Sequence, residues 1–139
     1  MVGAAEQVRE EFVKNDLKYK SFSKLPDGRT IMTAGFRQEQ VTFDILFIFE
    51  SDNRSVYLRV DDLAKVPIDR MYEVLSVLNN LNCQYRWARF YVDKDDEITV
   101  QIDHVLVENY SGPVVVELAL RIASIVGTGY SEIMKAIWA

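Results

Sequence analysis

Residues 65–103, KVPIDRMYEVLSVLNNLNCQYRWARFYVDKDDEITVQID, decide the fold of this chain. Pro67 opens a helix at a first-turn position, where its missing N–H costs nothing, and Asp69 suits the positive end of the helix dipole. Ile68, Met71, Leu75 and Leu78 make the expected core stripe, with Tyr72 alongside and Val74 widening it. The helix is expected to end near Leu78-Asn79-Asn80-Leu81-Asn82, because asparagine tolerates left-handed backbone angles. A hairpin follows, with strands predicted from about 85 to 92 and from 97 to 102, turning at Asp93-Lys94-Asp95-Asp96. Ile98, Val100 and Ile102 alternate with Thr99, Gln101 and Asp103, which gives the second strand one dry and one wet face.

C-terminal to this unit, Gly112-Pro113 starts a long helix predicted to run from Pro113 to Trp138. Glu117, Arg121, Ser124, Thr128, Ser131 and Lys135 recur by threes and fours as one narrow polar stripe. The remaining arc is almost wholly apolar, far wider than the ~100° that one sheet face covers. A second surface must therefore cover it, either the first helix of the chain or the same helix from another copy. Leu118, Ile122, Ile125 and Val126 are the residues expected at such an oligomer interface. Gly127 and Gly129 mark either a kink or a close backbone approach.

Toward the N-terminus, Ala5, Val8 and Phe12 form the stripe of an amphipathic helix ending near Asn15-Asp16. A short strand around Tyr19 and Phe22 leads to a turn at Pro26-Asp27-Gly28. Three strands are predicted next: Thr30 to Phe36, Val41 to Phe49, and Ser55 to Val60, the last two joined by Ser51-Asp52-Asn53-Arg54. Val41, Phe43, Ile45, Phe47 and Phe49 share one face of the middle strand. The fold class is α+β: an antiparallel sheet with helices mainly on one face, in the order α-β-β-β(-β)-α-β-β-α, with residues 1–139 expected to form a single domain.

This order resembles the YbjN-type family, called bacterial sensory-transduction regulators, whose fold is similar to type III secretion chaperones. The features that carry the resemblance are the Val66-Pro67 helix start, the run ending at Asn82, the strand Trp87-Ala88-Arg89-Phe90, and the acidic turn Asp93-Lys94-Asp95-Asp96. A strand closing at Ile102-Asp103 and the long last helix complete the pattern. Element order matches over residues 5–138, and local residue pattern over 65–138. Glu97 stands where such turns often carry glycine. The resemblance implies a non-enzymatic, dimeric regulatory or chaperone-like module that has no catalytic motif.

Composition narrows function mainly by exclusion. The formal charge is −5, so bulk electrostatics do not favour a nucleic-acid partner. Cys83 is the only cysteine and His104 the only histidine, which excludes an internal disulfide and sites needing several imidazoles or thiolates. Cys83, lying between two elements with apolar faces, is expected to be a buried, inert thiol. Met1 to Glu6 shows no secretory signal, and the apolar run Val114 to Val126 is interrupted by Glu117 and Arg121. The cytoplasm is the expected compartment, with no membrane partner.

Two clusters invite a functional reading. Asp93, Asp95, Asp96 and Glu97 resemble a calcium loop, but Ile98 and His104 stand where glycine and a bidentate glutamate are needed. A solvated hairpin turn is the expectation, with no metal and no cofactor. Tyr85, Trp87, Arg89 and Tyr91 fall on one face of the predicted strand and are the candidate partner-binding residues. The alternative is that protein covers this face, with Arg89 paired to a carboxylate. Asp103 and His104 would point to opposite sheet faces, so no acid–base pair is expected there. A protein-binding or regulatory module, acting as a homodimer with a protein or peptide client, is the leading functional expectation. Its rivals are a small-molecule sensor or enzyme with a ligand between sheet and helices, and a structural subunit of a larger assembly.

Overall fold

In a computed structural model that describes residues 3–139, six antiparallel strands carry three helices on one face. The elements are α1 (Ala4–Lys14), β1 (Ser21–Lys24), β2 (Thr30–Gln38), β3 (Val41–Phe49), β4 (Ser55–Val60), α2 (Met71–Gln84), β5 (Arg89–Val92), β6 (Ile98–Val105) and α3 (Ser111–Trp138). The strand order is β1-β2-β3-β4-β6-β5, so the C-terminal hairpin joins the sheet through β6 alongside β4.

The strands form where alternation is cleanest. In β3, Phe43, Ile45, Phe47 and Phe49 are buried, and Phe47 stands across from Met32 on one side and Leu58 on the other. Leu58 in turn faces Ile102, so one apolar row crosses β2, β3, β4 and β6 beneath the helices. The other sheet face carries Thr33, Tyr57, Arg59, Gln101 and Asp103 and stays partly or fully exposed, with Ile48 and Thr99 buried on it.

The helix layer has α3 in the middle, with α1 and α2 on its flanks. Phe12 of α1 meets Phe47 edge-on, with ring centroids 5.6 Å apart. The turn between β3 and β4 reaches back to α1: Asn53 Oδ1 accepts a hydrogen bond from Ala4 N at 3.0 Å. Asn53 adopts a φ of 61°, which this residue type tolerates.

Four expectations are corrected here. The wide apolar arc of α3 is enclosed by the chain's own α1 and α2, and Leu118, Ile122, Ile125 and Val126 lie buried within that layer. They are core residues and cannot meet another copy in this fold. The stripe of α2 is rotated: Val74, Leu78 and Leu81 are buried, while Ile68, Tyr72 and Leu75 face outward. The reason is at its start, where Pro67 is extended and Ile68–Arg70 forms a 3-10 turn, so the α-helix begins only at Met71. The α-helix also runs to Gln84, which leaves Cys83 in its last turn, exposed rather than buried. Finally, β5 starts at Arg89 and not near Tyr85.

The two glycines of α3 mark close approaches, not a kink, for the helix is continuous. A Cβ at Gly127 would sit 2.7 Å from Gln38 Cβ, and one at Gly129 would sit 2.9 Å from the tip of the Phe90 ring. Although α3 is long and apolar enough by length and composition to cross a membrane, half of its most apolar 18-residue window is buried inside the fold.

Candidate functional site

The link between α2 and β5 departs from regular backbone at a bulky residue, Trp87. Tyr85 closes the helix, its N–H donating to Leu81 O at 2.9 Å. Ala88 N then donates to Arg86 O at 2.6 Å, closing a three-residue turn around Trp87, whose φ is 68°. A γ-turn with positive φ is rare and strained, and a bulky side chain at such an angle is an outlier. Such strain costs about 1–3 kcal/mol and persists only where surrounding contacts hold it.

Those contacts lie on both sides of the turn. Ala88 and Phe90 return to the core, and Asn82 clamps β5 to the end of α2. Its Nδ2 donates to Phe90 O at 3.0 Å, and its Oδ1 accepts from Phe90 N at 2.7 Å. One amide therefore acts as a strand partner on the outer side of an edge strand, where open backbone groups would otherwise invite pairing.

The turn holds the indole of Trp87 at the surface, 46% exposed. Arg86 lies 5.2 Å from the Trp87 ring centroid and Arg121 of α3 lies 5.1 Å from it, so two guanidiniums flank one indole. Each contact is within the ~6 Å range of cation–π attraction. Arg121 also pairs with Glu117 at 2.9 Å. No carboxylate stands within ion-pair distance of Arg86 among the described residues.

The four candidate residues are thus divided by the fold. Arg89 and Tyr91 lie on the sheet face opposite the helices: Arg89 pairs with Asp103 at 2.9 Å, and Tyr91 OH donates to Gln101 Oε1 at 2.8 Å. The carboxylate pairing expected of Arg89 is present. Burial pushes the Asp103 carboxyl up, but hydrogen bonds from Gln101 and Arg89 and the charge of Arg89 outweigh it, leaving the pKa below its ordinary value. Tyr85 and Trp87 precede the strand, and only Trp87 has the paired cations. Arg86 and Arg121 are the members missing from the sequence-based set. Arg121 appeared only as part of a polar helical stripe, and nothing local to it signals an indole from a different element.

The acidic turn is a hairpin cap. Asp93 Oδ1 accepts from Asp95 N at 2.9 Å and Glu97 N at 3.1 Å, while Oδ2 accepts from Thr99 Oγ1 at 3.1 Å. Desolvation raises the Asp93 pKa, but these hydrogen bonds and nearby Lys65 more than reverse it, so the carboxyl stays below its usual range. Glu97 shifts the other way, through desolvation and the negative charges of Asp62 and Asp93. Asp93, Asp95 and Glu97 do bring carboxylate oxygens within 4.8 Å of one another, yet both oxygens of Asp93 are committed to the turn. As for other reactive groups, His104 Nδ1 lies 2.6 Å from Val105 O, at the end of β6, and Cys83 lies on α2.

Comparison with known proteins adds three findings. A family model described as "Putative bacterial sensory transduction regulator", YbjN, matches residues 5–130. Among solved structures, "YbjN, a putative transcription regulator from E. coli" is similar in fold: the TM-score is 0.59 at 11% identity, covering 91% of each chain. No curated protein matches this chain.

Proposed function

This chain belongs to the YbjN family, and from that premise we propose that it regulates by binding, its Trp87 corner taking up an acidic segment of a protein partner. A regulatory, protein-binding role without an enzymatic step is consistent with that family. The observation that carries the finer reading is the indole of Trp87, held outward in a strained turn between Arg86 and Arg121. Tryptophan and arginine are the side chains most enriched where binding energy concentrates. In a chain of net charge −5, Arg86 and Arg121 put two guanidiniums at this corner, of which Arg121 alone is paired, with Glu117, and this favours a carboxylate-bearing partner.

Strand addition at β5 fits less well, because Asn82 already occupies both backbone groups of Phe90 on that edge. The reading is therefore side-chain anchoring rather than the extended-edge capture of a chaperone. A ligand between sheet and helices fits less well too: Phe12, Phe47, Met32, Leu58, Ile122 and Ile133 fill that layer and are fully buried. Self-association through Leu118, Ile122, Ile125 and Val126 is no part of this reading. A cytoplasmic setting suits it, since a reducing compartment keeps an exposed thiol such as Cys83 unpaired.

The test uses the full chain and a panel of fluorescent acidic, neutral and basic peptides. Acidic peptides containing an apolar residue are expected to bind, with affinity falling as salt rises. Trp87→Gly and Arg86→Glu should each weaken that binding about tenfold or more while changing stability by no more than about 1 kcal/mol. Equal binding by wild type and both variants, or a preference for basic peptides, would overturn the proposal.

A further inference from the structure

Where the starts of α1 and α3 meet the turn between β3 and β4, the fold leaves a cavity of about 430 Å³, within the ~300–1,000 Å³ of small-molecule sites. Its polar groups are largely uncommitted. The helix α3 begins at Ser111, and Tyr110 before it supplies no side-chain cap. The first donor of the helical ladder is Val114, whose N–H reaches Tyr110 O at 3.3 Å. Pro113 has no N–H, and those of Ser111 and Gly112 meet no acceptor among the described residues. Ser111 lines the cavity and is only 3% exposed, yet no hydrogen bond joins its hydroxyl to any described residue. Buried polar groups are nearly always paired, so this hydroxyl points to a ligand. Arg54 and Glu108 line the same space, and neither belongs to an ion pair among the described residues. Asp52 is committed to the turn, its Oδ1 accepting from Arg54 N at 2.9 Å.

We propose that this cavity binds a free apolar α-amino acid, its carboxylate held by the start of α3 and Arg54, its ammonium by Glu108. The ligand must carry both signs. An uncapped helix start, a hydroxyl donor and a guanidinium together call for an anion. Glu108 and Asp52 line the same space, however, and two carboxylates oppose a dianion such as phosphate. A zwitterion satisfies both sets of groups at once, and an α-amino acid sets its two charges one carbon apart. Leu106 and Ala4, both buried, supply apolar lining for its side chain.

The site is separate from the Trp87 turn: at a rise of ~1.5 Å per residue, Ser111 lies about 15 Å along α3 from Arg121. Trp87→Gly should therefore leave amino-acid binding intact, and the two proposals fail independently. Calorimetric titration of the full chain with each common L-amino acid should show saturable binding of leucine, isoleucine, valine or phenylalanine. The α-amide of that amino acid loses the carboxylate and its N-acetyl derivative loses the ammonium, so each should bind about tenfold more weakly or worse. Arg54→Gln and Glu108→Gln change exposed side chains, and each should weaken binding about tenfold with circular dichroism and melting temperature unchanged. Ser111→Ala should weaken it as well, through the lost hydroxyl. A chain that binds no amino acid at concentrations up to about 10 mM would overturn the proposal. So would equal binding of the amide or acetyl derivative, an affinity indifferent to all three substitutions, or a preference for inorganic phosphate.

Discussion

At Trp87 the backbone and the side chain pull in opposite directions. The φ of 68° is one that glycine adopts freely and tryptophan does not. Replacing Trp87 by glycine removes about 1–3 kcal/mol of strain and forfeits two cation–π contacts of about 0.5–1 kcal/mol each. Trp87→Gly should therefore unfold in urea within about 1 kcal/mol of wild type, or slightly later, while losing the acidic-peptide binding. A large loss of stability would instead make the indole a structural wedge. Asn53 gives the complementary case, where side chain and backbone agree. Asn53→Gly keeps the positive φ but removes the cap on Ala4, and should cost about 0.5–1 kcal/mol in equilibrium denaturation. Asn53→Ala should cost more, because alanine adds backbone strain to the lost cap.

Elements that bury one face by simple alternation were readable from residue order, and those that depend on a distant partner were not. The strands β3 and β4 occur at the predicted residues because Phe43, Ile45, Phe47 and Phe49 alternate cleanly between turn-forming segments. Alternation also misled, by carrying the strand of Arg89 back through Tyr85 and Trp87, where no glycine or proline announces a turn. The Asn82 clamp was hidden because its partner lies eight residues away, and the asparagines near it read plausibly as a helix end. Asn82→Ala should leave both backbone groups of Phe90 without partners and cost about 2 kcal/mol, seen as faster amide exchange throughout β5. In α3, Gly127→Ala gains about 1 kcal/mol of helix propensity. The new methyl meets Gln38 Cβ at 2.7 Å, an atom fixed to the backbone of β2, and overpacking costs about 1–3 kcal/mol. The variant should thus be no more stable than wild type, and probing by urea denaturation would expose any gain. The apolar arc of α3 signalled that a cover was required but not which body supplied it; α1 and α2 supply it within the chain.

Among the described residues, two of the three depressed carboxyls, Asp93 and Asp103, lie on one hairpin, and the third, Asp27, accepts from Arg29 in the turn between β1 and β2. Asp93 closes the turn between β5 and β6, and Asp103 ties β6 to Arg89 of β5. Hydrogen bonding depresses both carboxyls in the folded state, against the desolvation that opposes it. A depressed carboxyl contributes stability above its unfolded pKa of about 4, and that contribution is lost as pH falls through the lower folded value. Glu97 has the opposite sign: desolvation and its acidic neighbours raise its pKa, so its contribution is present below the unfolded value and fades as pH rises through the folded one. Between neutrality and about pH 4 the hairpin should therefore hold, and below that range Asp93 and Asp103 withdraw support together. The rest of the sheet is anchored by the apolar row through Phe47, Leu58 and Ile102, which does not titrate. Amide exchange followed from pH 6 to pH 3, corrected for intrinsic rates, should show β5 and the β5–β6 turn losing protection before β2 and β3. Asp93→Asn should flatten that dependence, since the amide oxygen can still accept from Asp95 and Glu97 but carries no charge to neutralise. Uniform loss of protection across all six strands would mean that the hairpin is no weaker than the sheet it joins. The Trp87 turn, which enters β5 directly, would then be held by global stability rather than by the local clamp.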